Sequence, residues 1–245
     1  MTAMAGDTAW GAKAASLYDR AYAARYRLHD DGLANSAIYH EFVAWLQRVC
    51  QKFSAPFDAL DLGCGTGRYF CALRGVRTLV GFDASPSMLE QARHPLNEDQ
   101  ISVGDITLVH GDLMTQDFGE GRFDLVYSIG VLAEHAPLQP TLVASIARWL
   151  RPGGRFALST VHPDSESVPR TPARRLGTAL STRLPAPFNR ALRERLLSGG
   201  LYADEARLEE LLAGSFAIES LERMVSEAHL HCLCVARKNP THVPS

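Results

Sequence analysis

Three glycines at 63, 65 and 67 follow Asp61 at the close of a short apolar run, and a second acid, Asp83, stands 22 residues beyond Asp61. A glycine turn at the end of a strand lets a ligand approach the backbone closely. An acid at the end of the next strand accepts two hydrogen bonds from a ribose diol. Further along, His110-Gly111-Asp112-Leu113 sets another acid after a third apolar run, Ser128-Ile129-Gly130 ends a fourth, Glu134-His135 follows it, and His162 follows a fifth. Imidazoles and carboxylates move protons near neutral pH, so His135, His162 and Glu134 are the candidate catalytic groups. Each has a plain alternative: His162 precedes Pro163 and starts a loop, while Glu134 and His135 cap the next helix or face water.

The elements that must position these residues follow from periodicity. Apolar runs over 57–62, 78–82, 107–109, 123–128 and 155–160 read as strands. Residues 68–73 read as a helix after the glycine turn, and Ser85-Pro86 supplies a helix N-cap and a first helical proline, with Met88, Leu89 and Ala92 on the buried side. Strands alternating with helices argue for a parallel sheet, whose ligands bind outside the carboxyl ends of the strands. Ile38, Phe42, Trp45, Leu46, Val49 and Phe53 form the stripe of an amphipathic helix. Upstream, Tyr18, Tyr22 and Tyr26 recur every fourth residue with Arg25 beside them, as a packing stripe or as part of the ligand site. Residues 205–212 resume a helix, and 216–225 and 229–236 read as a closing strand pair.

The 245 residues, 46% of them hydrophobic, suit one α/β domain with a packed core. A net charge of −2 gives no global pull toward nucleic acid or anionic membranes. The five cysteines show no metal-ligand spacing, so no metal is expected and the thiols read as reduced, in a cytoplasm. No leader is read at 1–10 and no run approaches the ~20 apolar residues of a membrane span. Between 164 and 200, seven arginines stand against three acids. They form either a lid that recognises a carboxylate or phosphate through bidentate guanidinium contacts, or a solvated cap.

Strand, glycine turn and acid also occur in dinucleotide enzymes, but that fingerprint is GxGxxG, whereas Arg68 stands here where the third glycine belongs. The run Asp61-Leu62-Gly63-Cys64-Gly65-Thr66-Gly67 instead resembles the first motif of the class I S-adenosylmethionine-dependent methyltransferases. Val80-Gly81-Phe82-Asp83-Ala84-Ser85, His110-Gly111-Asp112-Leu113, Phe123-Asp124-Leu125-Val126-Tyr127-Ser128 and Leu150-Arg151-Pro152-Gly153-Gly154-Arg155 resemble the later motifs in family order. The likeness is close over about 57–160.

The resemblance implies a Rossmann-like α/β fold: a seven-stranded, mostly parallel sheet with an antiparallel last strand, helices on both faces, an N-terminal helical segment and an insertion cap after the fifth strand. Its parts would be a lid at 1–54, a cofactor core at 55–161, a cap at 162–203, a helix and strand pair at 204–238, and a tail at 239–245. It implies S-adenosyl-L-methionine as cofactor, leaving S-adenosyl-L-homocysteine. Contacts would fall on Asp61, Gly63, Cys64, Gly65 and Gly67; on Asp83, which holds the ribose hydroxyls, with Ala84 and Met88; on Asp112, facing the adenine, with Leu113; and on Ser128, Ile129 and Gly130. Tyr18, Arg25 and Tyr26 would close over the methionine end. Cys64 fits as a small turn residue rather than a nucleophile, and Asp124 as a structural acid at a strand entrance. The implied reaction is in-line methyl transfer to an O, N or C atom of a small molecule, neutral or anionic, by a monomer or homodimer. Methylation of RNA or DNA, a non-catalytic nucleotide-binding module of the same fold, and a dehydrogenase are the competing readings.

Overall fold

The computed structural model describes residues 18–54, 56–166, 168, 202–226 and 229–240. Two helices open the described chain, α1 (Arg20–Leu33) and α2 (Ala37–Cys50). Each starts on a polar side chain that takes up a free helical N–H, Asp19 accepting from Tyr22 and Ser36 from Tyr39. The sheet strands are β1 (Phe57–Leu62), β2 (Val76–Asp83), β3 (Asp105–His110), β4 (Phe123–Ile129), β5 (Leu150–Val161), β6 (Phe216–Ser226) and β7 (His229–Lys238). Helix α3 (Pro86–Ala92) follows β2, α4 (Pro140–Trp149) precedes β5, and α5 (Glu205–Leu212) precedes β6. The strand order is β3-β2-β1-β4-β5-β7-β6, with β7 antiparallel to both neighbours. This is the seven-stranded, mostly parallel Rossmann-like sheet that the motifs implied.

β1 is buried along its whole length, because helices cover both faces of the sheet. On one face Trp45, Leu46 and Val49 of α2 and Leu89 of α3 pack on Leu79, Leu125 and Val235. On the other, Ile146 and Trp149 of α4 and Leu208 and Leu212 of α5 pack on Val126, Phe156 and Cys234. Strand order reverses between β1 and β4, so the crevice of the fold opens beside the Gly63 turn.

Two expectations are corrected. The helix expected over 68–73 is a single 3-10 turn, Phe70–Ala72. Phe70, Cys71, Ala72 and Leu73 are all buried, so the segment has no polar face on which an amphipathic helix could continue. The Arg74 guanidinium closes the turn by donating to the Cys71 and Leu73 carbonyls. The strand expected over 155–160 is longer: β5 already begins at Leu150 and contains Pro152-Gly153-Gly154, where its pairing with β4 shifts register and Gly153 adopts a positive φ of 77°. The Arg-rich cap at 162–203 falls mostly outside the described residues, as do 1–17 and 241–245.

Candidate active site

A cavity of about 530 Å³ lies along the carboxyl edge of the parallel strands, within the range of small-molecule sites. Its floor begins at the glycine turn. Gly63 sits at φ +82°, and a Cβ there would come within 2.6 Å of the Val131 side chain, so only glycine lets the β1 and β4 loops close together. Asp83 at the end of β2 organises the neighbouring loops: its two oxygens accept from the Gly65 N–H at 2.9 Å and the Ser85 N–H at 2.8 Å. A carboxylate has about four acceptor positions, so capacity remains for hydroxyls of a ligand. Ser85 caps α3 through the Met88 N–H and donates its own hydroxyl to the Tyr18 carbonyl, tying the entry to α1 onto the cavity.

Helix α1 is held over the site by a buried ion pair. Asp30, wholly buried, accepts from Arg68 and from the Thr66 hydroxyl, and the Arg68 guanidinium lies 4.8 Å from the centre of the Tyr26 ring. Arg68 is therefore the tie between α1 and the glycine turn. This orientation brings Tyr18, Tyr22 and Tyr26 to the cavity wall and leaves Arg25 outward and exposed.

Three carboxyl groups at this cavity have no arginine or lysine partner among the described residues: Asp61, Asp83 and Glu134. Burial pushes Asp61 up to about 8, with the nearby Asp83 charge adding to the rise. The Tyr127 hydroxyl beside it pulls the other way, although the pair falls outside ordinary hydrogen-bond geometry. Asp83 is likewise raised by burial, against the lowering effect of its backbone N–H bonds. Burial lifts Glu134 to about 7, and its carboxyl accepts from the Val161 N–H at 2.8 Å. Burial also lowers the His135 imidazole, which meets the Tyr18 ring edge-on at 6.4 Å between centres. Three carboxyls raised by burial thus face a ligand-sized space with no arginine or lysine partner among the described residues, and a cationic ligand there would favour their ionised forms.

Of the residues singled out from sequence, Tyr18, Tyr26, Asp61, Gly63, Cys64, Gly65, Asp83, Ala84, Met88, Asp112, Leu113, Ile129, Gly130, Glu134 and His135 all line this cavity. Four do not. Arg25 points away from it, as described. Gly67 sits under the 3-10 turn, where a Cβ would meet the Phe70 ring at 2.7 Å, so its role is in packing. Ser128 is fully buried and donates to the Leu62 carbonyl at 2.8 Å, joining β4 to β1. His162 lies on the opposite face of the sheet: its Nε2 is 3.3 Å from Glu205 of α5, and its Nδ1 accepts from the Asp164 N–H. Glu134 and His135 do not cap α4 either, since its N-cap is Gln139. Burial raises the Cys64 thiol well above its usual value, consistent with an inert turn residue. Asp124 accepts from the Asp58 N–H and from Arg151 at the far end of the sheet, a structural position. Sequence reasoning missed Phe42, Tyr69, His229 and His231, which line the β7 end of the cavity. Only their aromatic character signalled them, and it equally suits a core.

The family model for a methyltransferase domain matches residues 60–158. Over 109 residues the chain is 40% identical to an uncharacterized methyltransferase of Synechocystis sp., covering 43% of this chain and 48% of that protein. Over 140 residues it is 32% identical to demethylmenaquinone methyltransferase of Staphylococcus aureus, covering 54% of this chain and 56% of that one. The chain thus matches about half the length of these curated relatives. The crystal structure of magnesium protoporphyrin IX methyltransferase from Synechocystis with bound S-adenosylmethionine superposes with a TM-score of 0.61 at 18% identity, over 98% of this chain and 100% of that one. Fold and motif order agree with these matches: the sheet is of the Rossmann-like kind, and residues 60–158 within it are similar to a methyltransferase domain.

Proposed function

We propose that the protein is an S-adenosylmethionine-dependent methyltransferase acting on a small molecule. The observation that carries this reading is the set of carboxyls without cations, Asp61, Asp83 and Glu134, around one cavity at the switch point of the sheet. S-adenosylmethionine brings a sulfonium, an ammonium and a ribose diol, which are the complements such a donor set lacks. Asp83 would hold the ribose and the glycine turn would admit the ligand close to the backbone; Asp61 would oppose positive charge. When bound, the cofactor supplies a methyl group already activated for direct displacement by a nucleophile.

The chain's own contribution is to position the two reactants and exclude water, effects worth up to ~7–11 kcal/mol where orientation is ideal. Tyr26 on α1 and Tyr18 just before it line the cavity wall and would roof the site. Where the acceptor atom carries a proton, Glu134 is placed to take it: it faces the cavity, and its carboxyl, lifted to about 7, titrates in the range where a general base works best. His135 stands next to it as a neutral hydrogen-bonding group. Both curated relatives above are named methyltransferases, one of them for demethylmenaquinone, and the Synechocystis structure is named for a porphyrin, which supports a small-molecule acceptor. Five unpaired cysteines support a reducing, cytoplasmic setting. An anionic acceptor would draw on arginines outside the described residues.

The test is incubation of the protein with methyl-labelled S-adenosylmethionine and a metabolite extract, read by mass. One labelled small molecule is expected. Its formation should fall by ~10²–10⁴-fold in Glu134→Gln if the acceptor loses a proton. Label appearing only in RNA would overturn the small-molecule reading.

A further inference from the structure

The cavity does not end at the groups assigned to the cofactor. Those lie on β1, β2 and the loop after β4, whereas its wall continues across β5 to β7, where Val161 and His231 face each other in register. From β2 to β7 there are four strand-to-strand steps, roughly 19 Å at about 4.8 Å each. The far end is built from rings. Phe42 of α2 meets His231 edge-on at 5.2 Å between centres, Tyr69 backs Phe42 at 5.8 Å, and His229 stacks on His231 at 5.8 Å.

His231 is the unusual member of this wall. It is only 7% exposed, and neither ring nitrogen has a hydrogen-bond partner among the described residues. Buried polar atoms in folded proteins are nearly always paired, so an orphaned imidazole at a cavity wall marks a place where a ligand completes the bonding. Burial holds the ring down to about 4, with His229 adding to the effect, so His231 is neutral at physiological pH. It therefore offers one N–H donor and one nitrogen acceptor rather than a charge. The one arginine on the cavity wall among the described residues, Arg68, is engaged by Asp30. A neutral hydrogen-bonding group among aromatic rings selects a flat, uncharged ring bearing a hydroxyl or N–H.

We propose that the β7 end of the cavity is the methyl-acceptor subsite, that it takes a neutral planar aromatic molecule, and that His231 determines specificity by hydrogen-bonding a hydroxyl or ring N–H of that molecule. The subsite's role as acceptor site rests on the methyltransferase reading above; the contact itself does not.

The probe is 2-naphthol, with 2-naphthoate as its anionic counterpart. Binding is followed by calorimetry and by the ¹⁵N shifts of the His231 ring, with and without S-adenosylhomocysteine. 2-Naphthol should bind alongside S-adenosylhomocysteine, shift the His231 nitrogens, and bind more tightly than 2-naphthoate. His231→Phe should weaken it about tenfold, the scale of one lost hydrogen bond, with S-adenosylhomocysteine affinity unchanged. His231→Gln, which keeps a donor and an acceptor, should retain part of the affinity and guards against a folding defect. Equal affinity in wild type and both variants, no binding to wild type, displacement of S-adenosylhomocysteine, or preference for 2-naphthoate would each overturn the proposal. A shifted His231 ring with no S-adenosylhomocysteine binding would support the contact and overturn the methyltransferase reading instead.

Discussion

Asp58 and Asp61 lie three residues apart on β1, and the protein treats them in opposite ways. At the amino edge of the sheet, Asp58 accepts from Arg77, Arg151 and the Thr78 hydroxyl, and Arg151 also bridges to Asp124. These partners hold the Asp58 carboxyl down at about 2 against the opposing effect of its burial. At the carboxyl edge, Asp61 is just as buried but has no cation beside it among the described residues, and burial lifts it to about 8. Asp30 belongs with Asp58, since Arg68 neutralises it, while Asp83 and Glu134 belong with Asp61. Carboxyls that hold the structure together are thus supplied with arginines from within the chain. Those at the cavity are left for a cation that arrives from outside.

The largest effect expected from this contrast is on stability. Arg68→Ala leaves the buried Asp30 carboxyl with the Thr66 hydroxyl as its one side-chain partner among the described residues, so it should cost about 3–5 kcal/mol, the scale of breaking a buried ion pair. Chemical denaturation reads it, and a loss below 1 kcal/mol would remove Asp30 from the paired class. The next effect is on binding. Asp83→Ala should weaken S-adenosylhomocysteine by about 1–3 kcal/mol, roughly 5- to 150-fold in Kd, with Asp83→Asn less affected because its carbonyl oxygen still accepts. Unchanged affinity in Asp83→Ala would remove the ribose assignment.

A smaller effect is the opposite pH dependence of the two β1 acids. The folded-state value of Asp58 lies below the usual 3.8, so its contribution is present above about pH 4 and is lost as pH falls toward 2. That of Asp61 lies above 3.8, so its contribution is full below about pH 4 and is lost as pH rises through about 8. Melting curves of the ligand-free protein should therefore show Asp58→Asn removing part of the acid-limb loss. Asp61→Asn should flatten the decline between pH 5 and 8. The same sign for both variants would collapse the distinction between the two edges.

The sheet was legible because its strands are apolar runs bounded by glycine, proline and acidic residues, signals that depend on local sequence alone. The glycine turn and the acid ending β2 were legible for the same reason, since each is a residue type required by a local geometry. The helix expected after Gly67 failed because burial of every residue from Phe70 to Leu73 erases amphipathic periodicity. The position of His162, outside the cavity, and those of His229 and His231, on its wall, turn on parity. The last residues of β5 and most of β7 are buried on both faces, so composition does not show which face a side chain takes. A one-residue difference in position sends His162 to α5 and leaves Val161 in the cavity. Arg68 was read only as a departure from a dinucleotide turn. Its partner, Asp30, lies 38 residues away, a pairing that only the folded chain reveals.

The most direct test of the contrast is calorimetric titration with S-adenosylmethionine near pH 7.5 in two buffers of different ionisation enthalpy. A cation entering beside Asp61 and Glu134 must lower both groups from about 8 and 7. Binding should therefore release protons, tighten as pH rises from 6 to 8.5, and lose that release in Asp61→Asn combined with Glu134→Gln. Binding without proton exchange, or no binding at all, would contradict the claim that these carboxyls await a cationic ligand.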